Sequence, residues 1–418
     1  MDVARGRTFA KPWLIALALT AFALQTDDFV IVGVLPSIAR ELKVSEAAAG
    51  QLVSVFSVMC AVIGPPAAVI TASWSRRHVL IGGLLLFCAA GFAVPLATSY
   101  PVLMALRIVA ALAAAVTLPT VFAVVAAHSP PERQGRHLAI VMTGLTGAVV
   151  IGVPLGTWTG AVFGWQATFV LGGLLGLAAL VCVHVAVPRT PSPPAAGLAD
   201  RLSPLTRPAV LGVLLAAVVA VLGNLMFQTY LASFLHDMAG VTPATLGGLL
   251  ALTGAAGIAG ARLSGGLVDR FGPARAFILA VVVFAAAMLG LALCWSLRPA
   301  YLPLIVLLLL VWSAAAWAVP PPVQARILAL AGPDAGPQAL ALSSSAVYIG
   351  SSLGAGLGGW LLSTHGSGAL PLTAAFSALA SLALFAATER STRWRGRRRR
   401  PAHGPPPQRS AGNRVGRT

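Results

Sequence analysis

Charge is the scarcest property of this 418-residue chain. Only 9% of its residues are Asp, Glu, Lys or Arg, while 58% are hydrophobic; a soluble domain carries about 25% charged residues. So few charges cannot cover the surface of a water-soluble globule of this size, and that surface is expected to meet lipid. Acids are scarcer than bases, 11 against 28, for a net charge of +17. This excess does not point to nucleic acid. Ten of the basic residues lie from Arg390 onward, and most of the others occupy short gaps between apolar runs, which is how charge orients a chain in a membrane. Cysteine is limited to Cys60, Cys88, Cys182 and Cys294, each inside an apolar run and none in a CxxC pair, so neither disulfides nor metal ligation is expected. The scattered histidines show no HExxH or similar metal spacing, and there is no phosphate-binding P-loop. These absences leave no metal site, no cofactor, no ATP-driven step within this chain and no clustered catalytic set for an enzyme.

Long apolar runs are abundant. A spanning helix needs roughly 20 mostly apolar residues, and such runs occupy 13–35, 48–71, 79–98, 101–127, 138–160, 166–187, 208–235, 244–264, 276–296, 301–325, 339–362 and 369–388. The first is too long for a cleaved signal and carries Asp27 and Asp28, so it is read as the first spanning helix. With the N-terminus inside, the inner loops hold Arg5, Arg7, Lys11, Arg76, Arg77, Arg133, Arg136, Arg189, Arg201, Arg207, Arg262, Arg270, Arg275, Arg326 and the tail arginines. The outer loops hold only Arg40, Lys43 and Arg298. The positive-inside rule therefore favours an even number of spans with both termini in the cytoplasm. The bias toward Ala, Gly and Arg suggests a GC-rich bacterial genome, which places the protein in a bacterial inner membrane.

A proline-rich stretch at 188–207 divides the chain into two six-helix halves, 1–187 and 208–388, the layout of a carrier built from two repeats. The expected fold is all-α, with two six-helix bundles and twelve transmembrane helices. The tail, 389–418, is rich in Arg and Pro and expected to be disordered. Its run Arg397–Arg400 either lies on anionic headgroups or serves as a solvated orientation signal.

Five stretches resemble the major facilitator superfamily, and more closely its twelve-helix drug:proton antiporters and arabinose-efflux-permease-like exporters, including chloramphenicol exporters. The resemblance covers about residues 12–388. T-D-D-F-V-I-V-G-V-L-P, from Thr26, places Asp28 at the family's acidic position with Asp27 as an addition. R-I-V-A-A-L aligns Arg107 with the buried arginine of the fourth helix, without the usual following glycine. G-V-P-L-G-T-W-T-G-A-V-F-G-W-Q-A-T-F, from Gly152, resembles the fifth-helix antiporter motif, with Gln166 in place of an arginine. G-G-L-V-D-R-F-G-P-A-R, from Gly265 to Arg275, fits G-x-x-x-D-R-x-G-x-R of the loop after the eighth helix; the matching first-half loop, A-S-W-S-R-R-H, lacks the acid and the glycines. P-P-V-Q-A-R ends at Arg326 and is followed by a glycine-rich eleventh helix, where Tyr348 stands at a position often occupied by Asn.

A charge at the bilayer centre costs about 2.5–3.5 kcal/mol, so Asp27, Asp28 and Arg107 are expected to face a wet cavity or each other. Asp28 and Arg107 lie at matching depth, roughly 9–11 Å below the outer surface at 1.5 Å per residue, and the resemblance implies that these positions face each other. Asp27 and Asp28 are ~100° apart around the helix, and Asp28 is taken as the acid that meets Arg107 or the cavity. A carboxyl that meets the arginine in one conformation only would couple proton binding to transport; the alternatives are a static pair locking two helices and a wetted acid. Gly152, Pro154 and Gly156 form either a hinge and seal or a tight packing face. Gly265, Asp269, Arg270 and Arg275 form either a cytosolic charge lock or orientation charge alone. Asn224, Gln228, Tyr230, Trp312, Trp317 and Tyr348 are candidate substrate contacts, suited to a mostly apolar pocket with a few polar groups.

The expected function is proton-coupled export of a small, moderately hydrophobic compound such as an antibiotic. A sugar or metabolite efflux permease is the alternative, and a non-transporting sensor or membrane enzyme a more distant one. The expected partners are a small-molecule substrate and membrane lipid, with no nucleic acid. The protein is expected to act as a monomer, with the proton gradient as its energy source.

Overall fold

A computed structural model describes residues 11–130, 133–188, 203–298 and 301–398. The expected linker segment 189–202 and the tail beyond 398 lie outside the described residues. Among the described residues twelve helices are long and apolar enough to span a membrane: α1 Pro12–Glu41, α2 Glu46–Ala67, α3 Arg76–Leu96, α4 Tyr100–His128, α5 Arg136–Phe163, α6 Trp165–Ala186, α7 Pro208–Thr229, α8 Thr245–Phe271, α9 Pro273–Ser296, α10 Leu302–Gly332, α11 Gln338–His365 and α12 Ala369–Ser391. No strand occurs among the described residues. Backbone groups in lipid must be satisfied within their own segment, and helices do this.

The connections are short because residues suited to sharp reversals sit at the helix ends. Prolines occupy the first turns of α1, α4, α7 and α9, where the missing N–H would be unpaired in any case. Gly164, Gly272 and Gly366 adopt φ of 89°, 81° and 76°, and the first two are single-residue links between α5 and α6 and between α8 and α9. Gly332, at φ 75°, breaks the long helical stretch that joins α10 to α11. Tyr230 (φ −106°, ψ 20°) interrupts the helix at the end of α7, which continues as a short helix, Leu231–Ala239.

The last helical stretch runs on to Arg398, so the first ten residues of the expected disordered tail are helical instead. Glu389 ion-pairs with Arg326 at 2.5 Å, the Ser391 hydroxyl donates to the Thr388 carbonyl, and arginine is itself a good helix former. Together these carry the helix past its apolar part.

Both bundle ends are easily told apart. Arg76, Arg77, Arg207, Arg270, Arg275 and Arg326 lie at one, the basic end; the turns after α1, α3, α5, α9 and α11 lie at the other. The two halves, α1–α6 and α7–α12, meet through α2 with α11 and through α5 with α8. Shifting by six helices turns the first pair into the second, as a two-fold repeat requires.

One apolar cluster joins the halves toward the turn end, where Ile31, Leu35, Ile38 and Leu52 pack with Phe227, Phe234 and Leu235. Near the basic end a second cluster, Leu14, Leu17, Leu80, Val121, Val125 and Val183, belongs to the first half alone. The halves thus share a core at one end and keep separate cores at the other.

Candidate functional site

The acidic motif of α1 is oriented by a small-residue ladder. On α5 a methyl group added at Gly144, Gly152, Gly156 or Gly160 would collide with Ala18, Thr26, Val30 or Val34 of α1. Both sets run at intervals of about four, so one face of each helix lies on the other in close van der Waals contact, as small residues permit in membranes. This fixes the rotation of α1. With Thr26 and Val30 toward α5, the next residue points about 100° away, toward α4 and α6. Asp27 therefore meets Arg107. Its Oδ2 lies 2.6 Å from Nη1, with the two side chains 4% and 1% exposed. Gly172 of α6 makes room for that carboxylate, since a Cβ there would sit 3.3 Å from Oδ1. The guanidinium lies over Phe56 at 4.5 Å and Phe169 at 5.7 Å, while its Nε and Nη2 have no hydrogen-bond partner among the described residues.

The geometry corrects one expectation. Asp28, placed opposite Arg107 by depth and by the family pattern, is not the acid of the ion pair; Asp27 is. Asp28 turns a further 100° to the opposite flank of α1 and is half-buried. It makes no hydrogen bond or ion pair among the described residues, and lies within electrostatic reach of Arg107, of Cys60 on α2 and of Tyr348 on α11.

A narrow cavity lies between the halves, lined from α1 by Phe29 and Val32, from α5 by Val149 and Val153, and from the second half by Asn224, Gln228, Leu250, Thr253, Trp312 and Trp317. No lining residue is ionisable. Trp312 Nε1 donates to Asn224 Oδ1 at 3.1 Å and its ring meets Phe227 edge-on at 5.0 Å, so the Asn224 amide is held with its NH2 group free. Ser313 donates to the Thr253 carbonyl at 2.7 Å. Trp317 is seated on Gly257. The structure thus brings four of the predicted contacts, Asn224, Gln228, Trp312 and Trp317, into one pocket.

It does not bring in the other two. The Tyr230 side chain is wholly buried, its hydroxyl donates to the Ala355 carbonyl at 2.9 Å, and its ring fills the space left by Gly50, Gly358 and Gly359. It packs the α2, α7 and α11 contact instead of the cavity. Tyr348 crosses to the first half and packs against the cluster that contains Phe56, Cys60 and Ala111.

Several contacts close the turn end over the cavity. Ser57 and Ser351 hydroxyls lie 2.9 Å apart, Ser54 donates to the Ser352 carbonyl at 3.2 Å, and Trp158 lies against Gly247. These serines carried no motif in the sequence; their small size in facing helices was the only signal. Just before Pro154 a π-helical turn spans Ala148–Gly152. Wider turns of this kind accommodate a proline within a helix, and here Val149 and Val150 press on Gly254 of α8. Gln166 donates to Glu41 at 2.6 Å, linking α1 to α6 without the arginine's charge. At the basic end Gly265 has no heavy atom within 4 Å of where a Cβ would stand, and among the described residues Asp269, Arg270 and Arg275 make no ion pair. No group of three or more His, Cys, Asp or Glu side chains suited to a metal occurs among the described residues.

Comparison with known proteins agrees with this architecture. The Major Facilitator Superfamily model matches residues 17–336 and 213–415. The chain is 32% identical over 356 residues to the inner membrane transport protein YdhP of Escherichia coli K12, covering 84% of this chain and 88% of that protein. It is 30% identical over 343 residues to the uncharacterized MFS-type transporter YbcL of Bacillus subtilis, covering 82% and 87%. Among solved structures, a mutant of the peptide transporter POT in complex with sulfate superposes with a TM-score of 0.75 at 15% identity, covering 92% of this chain and 96% of that one. A bacterial homolog of the human lysosomal transporter Spinster superposes with a TM-score of 0.67 at 19% identity, covering 91% and 96%; at such identities the likeness concerns the fold. A twelve-helix bundle with a cavity between its halves, matched in sequence to bacterial inner-membrane transporters along most of its length, is a multi-pass carrier of small molecules, and the chain belongs to the major facilitator superfamily.

Proposed function

We propose that the protein is a proton-coupled efflux carrier for a small, uncharged metabolite of sugar-like chemistry. The observation that carries this reading is the cavity lining: amides at Asn224 and Gln228, hydroxyls at Thr253 and Ser313, indole rings at Trp312 and Trp317, and no ionisable side chain. Amides exchange paired hydrogen bonds with hydroxyl groups, and indole faces accept the C–H side of a ring. An anionic or cationic cargo would find no counter-charge there. The aliphatic wall of Phe29, Val32, Val149, Val153 and Leu250 favours a second reading, export of a moderately hydrophobic drug, as in the drug:proton antiporter group.

Coupling is assigned to Asp28. A half-buried carboxyl with no hydrogen-bond or ion-pair partner among the described residues is free to change protonation as the two halves move, whereas Asp27 is held by Arg107. The positive-inside rule puts the basic end, and both termini, in the cytoplasm. The closed turn end then faces outward and the cavity loads from the cytoplasm. When the halves rock about the α2–α11 and α5–α8 contacts, Asp269, Arg270 and Arg275 close the basic end as a charge lock. One chain supplies both halves of the pathway, so the working unit is a monomer.

The test is uptake into inverted vesicles energised by a proton gradient, with labelled pentoses and hexoses against a panel of antibiotics. Sugar-type accumulation that collapses with an uncoupler and with Asp28→Asn supports the first reading. Accumulation of antibiotics alone supports the second. Transport unchanged in Asp28→Asn removes Asp28 from the coupling step.

A further inference from the structure

We infer that the main-chain carbonyl of Val149 on α5 is a hydrogen-bond acceptor for the cargo, freed at the cavity wall by the π-helical turn and Pro154. This rests on the reading of the cavity between the halves as the cargo site, and it goes beyond that reading by naming a polar contact from the first half.

The cavity lining is lopsided. Its polar side chains, from Asn224 to Trp317, all belong to the second half, whereas the first half contributes Phe29, Val32, Val149 and Val153. A cargo shifts the balance between two arrangements of the halves only through contacts that differ between them, and four apolar side chains give it no directional hold. Acceptors are also scarce on the far side. Asn224 Oδ1 already accepts from Trp312 at 3.1 Å, and the Thr253 carbonyl accepts from Ser313 at 2.7 Å.

The backbone of α5 supplies what its side chains lack. A helical carbonyl is bonded by the N–H four residues on, or five residues on in a π turn. For Val149 neither is at hand. The Val153 N–H donates to the Ala148 carbonyl, closing the π turn over Ala148–Gly152, and residue 154 is proline, which has no N–H. The oxygen is aimed at α8, where Gly254 has no side chain to cover it: a Cβ there would stand 3.0 Å from the Val149 oxygen. Val149 and Gly254 both line the cavity, so the oxygen lies at its wall. Irregular backbone of this kind is tolerated at membrane depth where it borders a cavity, and a carbonyl left without a donor favours any ligand that brings one. An O–H or N–H of the cargo meets the Val149 oxygen while an acceptor on the same molecule takes the free NH2 of Asn224. One uncharged molecule carrying both kinds of group then bridges α5 of the first half to α7 of the second.

Pro154→Ala tests this, because it returns an N–H. In the π register residue 154 then bonds Val149 itself; if the turn relaxes to an α-helix, Val153 does so. Either way the carbonyl is withdrawn from the cavity and the lining side chains are unchanged. The assay is competition by unlabelled analogues against a labelled probe accumulated in inverted vesicles holding the full chain. The probes are D-glucose and D-xylose with their monodeoxy derivatives, and chloramphenicol with its monodeoxy derivatives. The series that the parent accumulates is scored, so accumulation of chloramphenicol alone ends the sugar-like reading and still tests the carbonyl. In the parent, removing the hydroxyl that meets Val149 should weaken competition roughly threefold to tenfold, the worth of one hydrogen bond. In Pro154→Ala the complete compound should fall to the level of that derivative, while the penalties for removing other hydroxyls persist. Gly254→Ala, whose methyl would stand 3.0 Å from the oxygen, covers the carbonyl without altering the α5 bend. It should give the same pattern, and it carries the test if Pro154→Ala does not accumulate. If every hydroxyl penalty survives in the variant, with affinities shifted by one common factor or not at all, Pro154 serves only the bend and the proposal is overturned. A parent indifferent to the loss of every hydroxyl overturns it as well.

Discussion

Replacing Asp27 by asparagine keeps the side chain's shape and removes its charge, which isolates what the ion pair contributes. The pair is dry, 2.6 Å long with 4% and 1% of the two side chains exposed, so its loss is not softened by solvent. Removing one partner of a buried pair costs about 3–5 kcal/mol, most of it the penalty of the charge left behind. Arg107 has little to fall back on. Its Nε and Nη2 already lack acceptors, and the Phe56 face at 4.5 Å returns about 2 kcal/mol at best when desolvated. Because the asparagine oxygen still accepts one hydrogen bond, the cost is expected near the lower end of that range.

Asp28→Asn, by contrast, removes a carboxyl with no protein partner and is expected to change stability by about 0.5 kcal/mol or less. Combining Asp27→Asn with Arg107→Gln removes both charges, and a buried pair replaced as a unit is often close to neutral, so the double variant should regain most of the loss. Cys60, Cys88 and Cys294 are buried, so a thiol-reactive dye reads thermal unfolding in detergent without added labels. Equal destabilisation by Asp27→Asn and Asp28→Asn, or a double variant weaker than Asp27→Asn alone, would refute the assignment of the two acids.

Ser57→Cys with Ser351→Cys, in a background free of other cysteines, should cross-link readily, since the parent hydroxyls are 2.9 Å apart and facing helices this close suit disulfide geometry; transport should stop on oxidation and return on reduction. A Cβ added at Gly265 meets nothing within 4 Å, so Gly265→Leu should leave the melting temperature unchanged while abolishing transport, because it blocks closure of the basic end. Gly260→Val, which collides with the Ala314 backbone, should instead prevent accumulation of folded protein, measured by size-exclusion chromatography. Asn224→Ala and Trp312→Phe each break the same hydrogen bond. Either alone should weaken transport by roughly threefold to tenfold, the worth of one hydrogen bond, and the pair together by little more, measured as the apparent KM for the transported compound.

The two acids mark the boundary of what the sequence could disclose. Spans and loop charges were legible because bilayer thickness and the cost of moving charge act on the chain locally, and all twelve runs reappear as helices with ends shifted by at most seven residues. Depth was legible for the same reason, and it brought Arg107 level with the acidic motif. Depth says nothing about rotation, and neighbours ~100° apart around a helix at one depth look alike in the chain. The missing information was held by another segment: the glycines at 144, 152, 156 and 160, matched against Ala18, Thr26, Val30 and Val34, decide which flank of α1 lies on α5. Once that face is spent, Asp27 must turn toward α4 and α6 and Asp28 toward α2 and α11. A family pattern that carries one acid gives no instruction about which of two adjacent acids inherits the arginine; the packing does. The same reasoning separates the tyrosines, since Tyr230 is surrounded by glycines that fit its ring whereas Tyr348 lies where the halves must move. In this fold, residues that pack small-to-large within static contacts hold the frame, and the polar side chains left without a partner at the moving seam are where function should be sought.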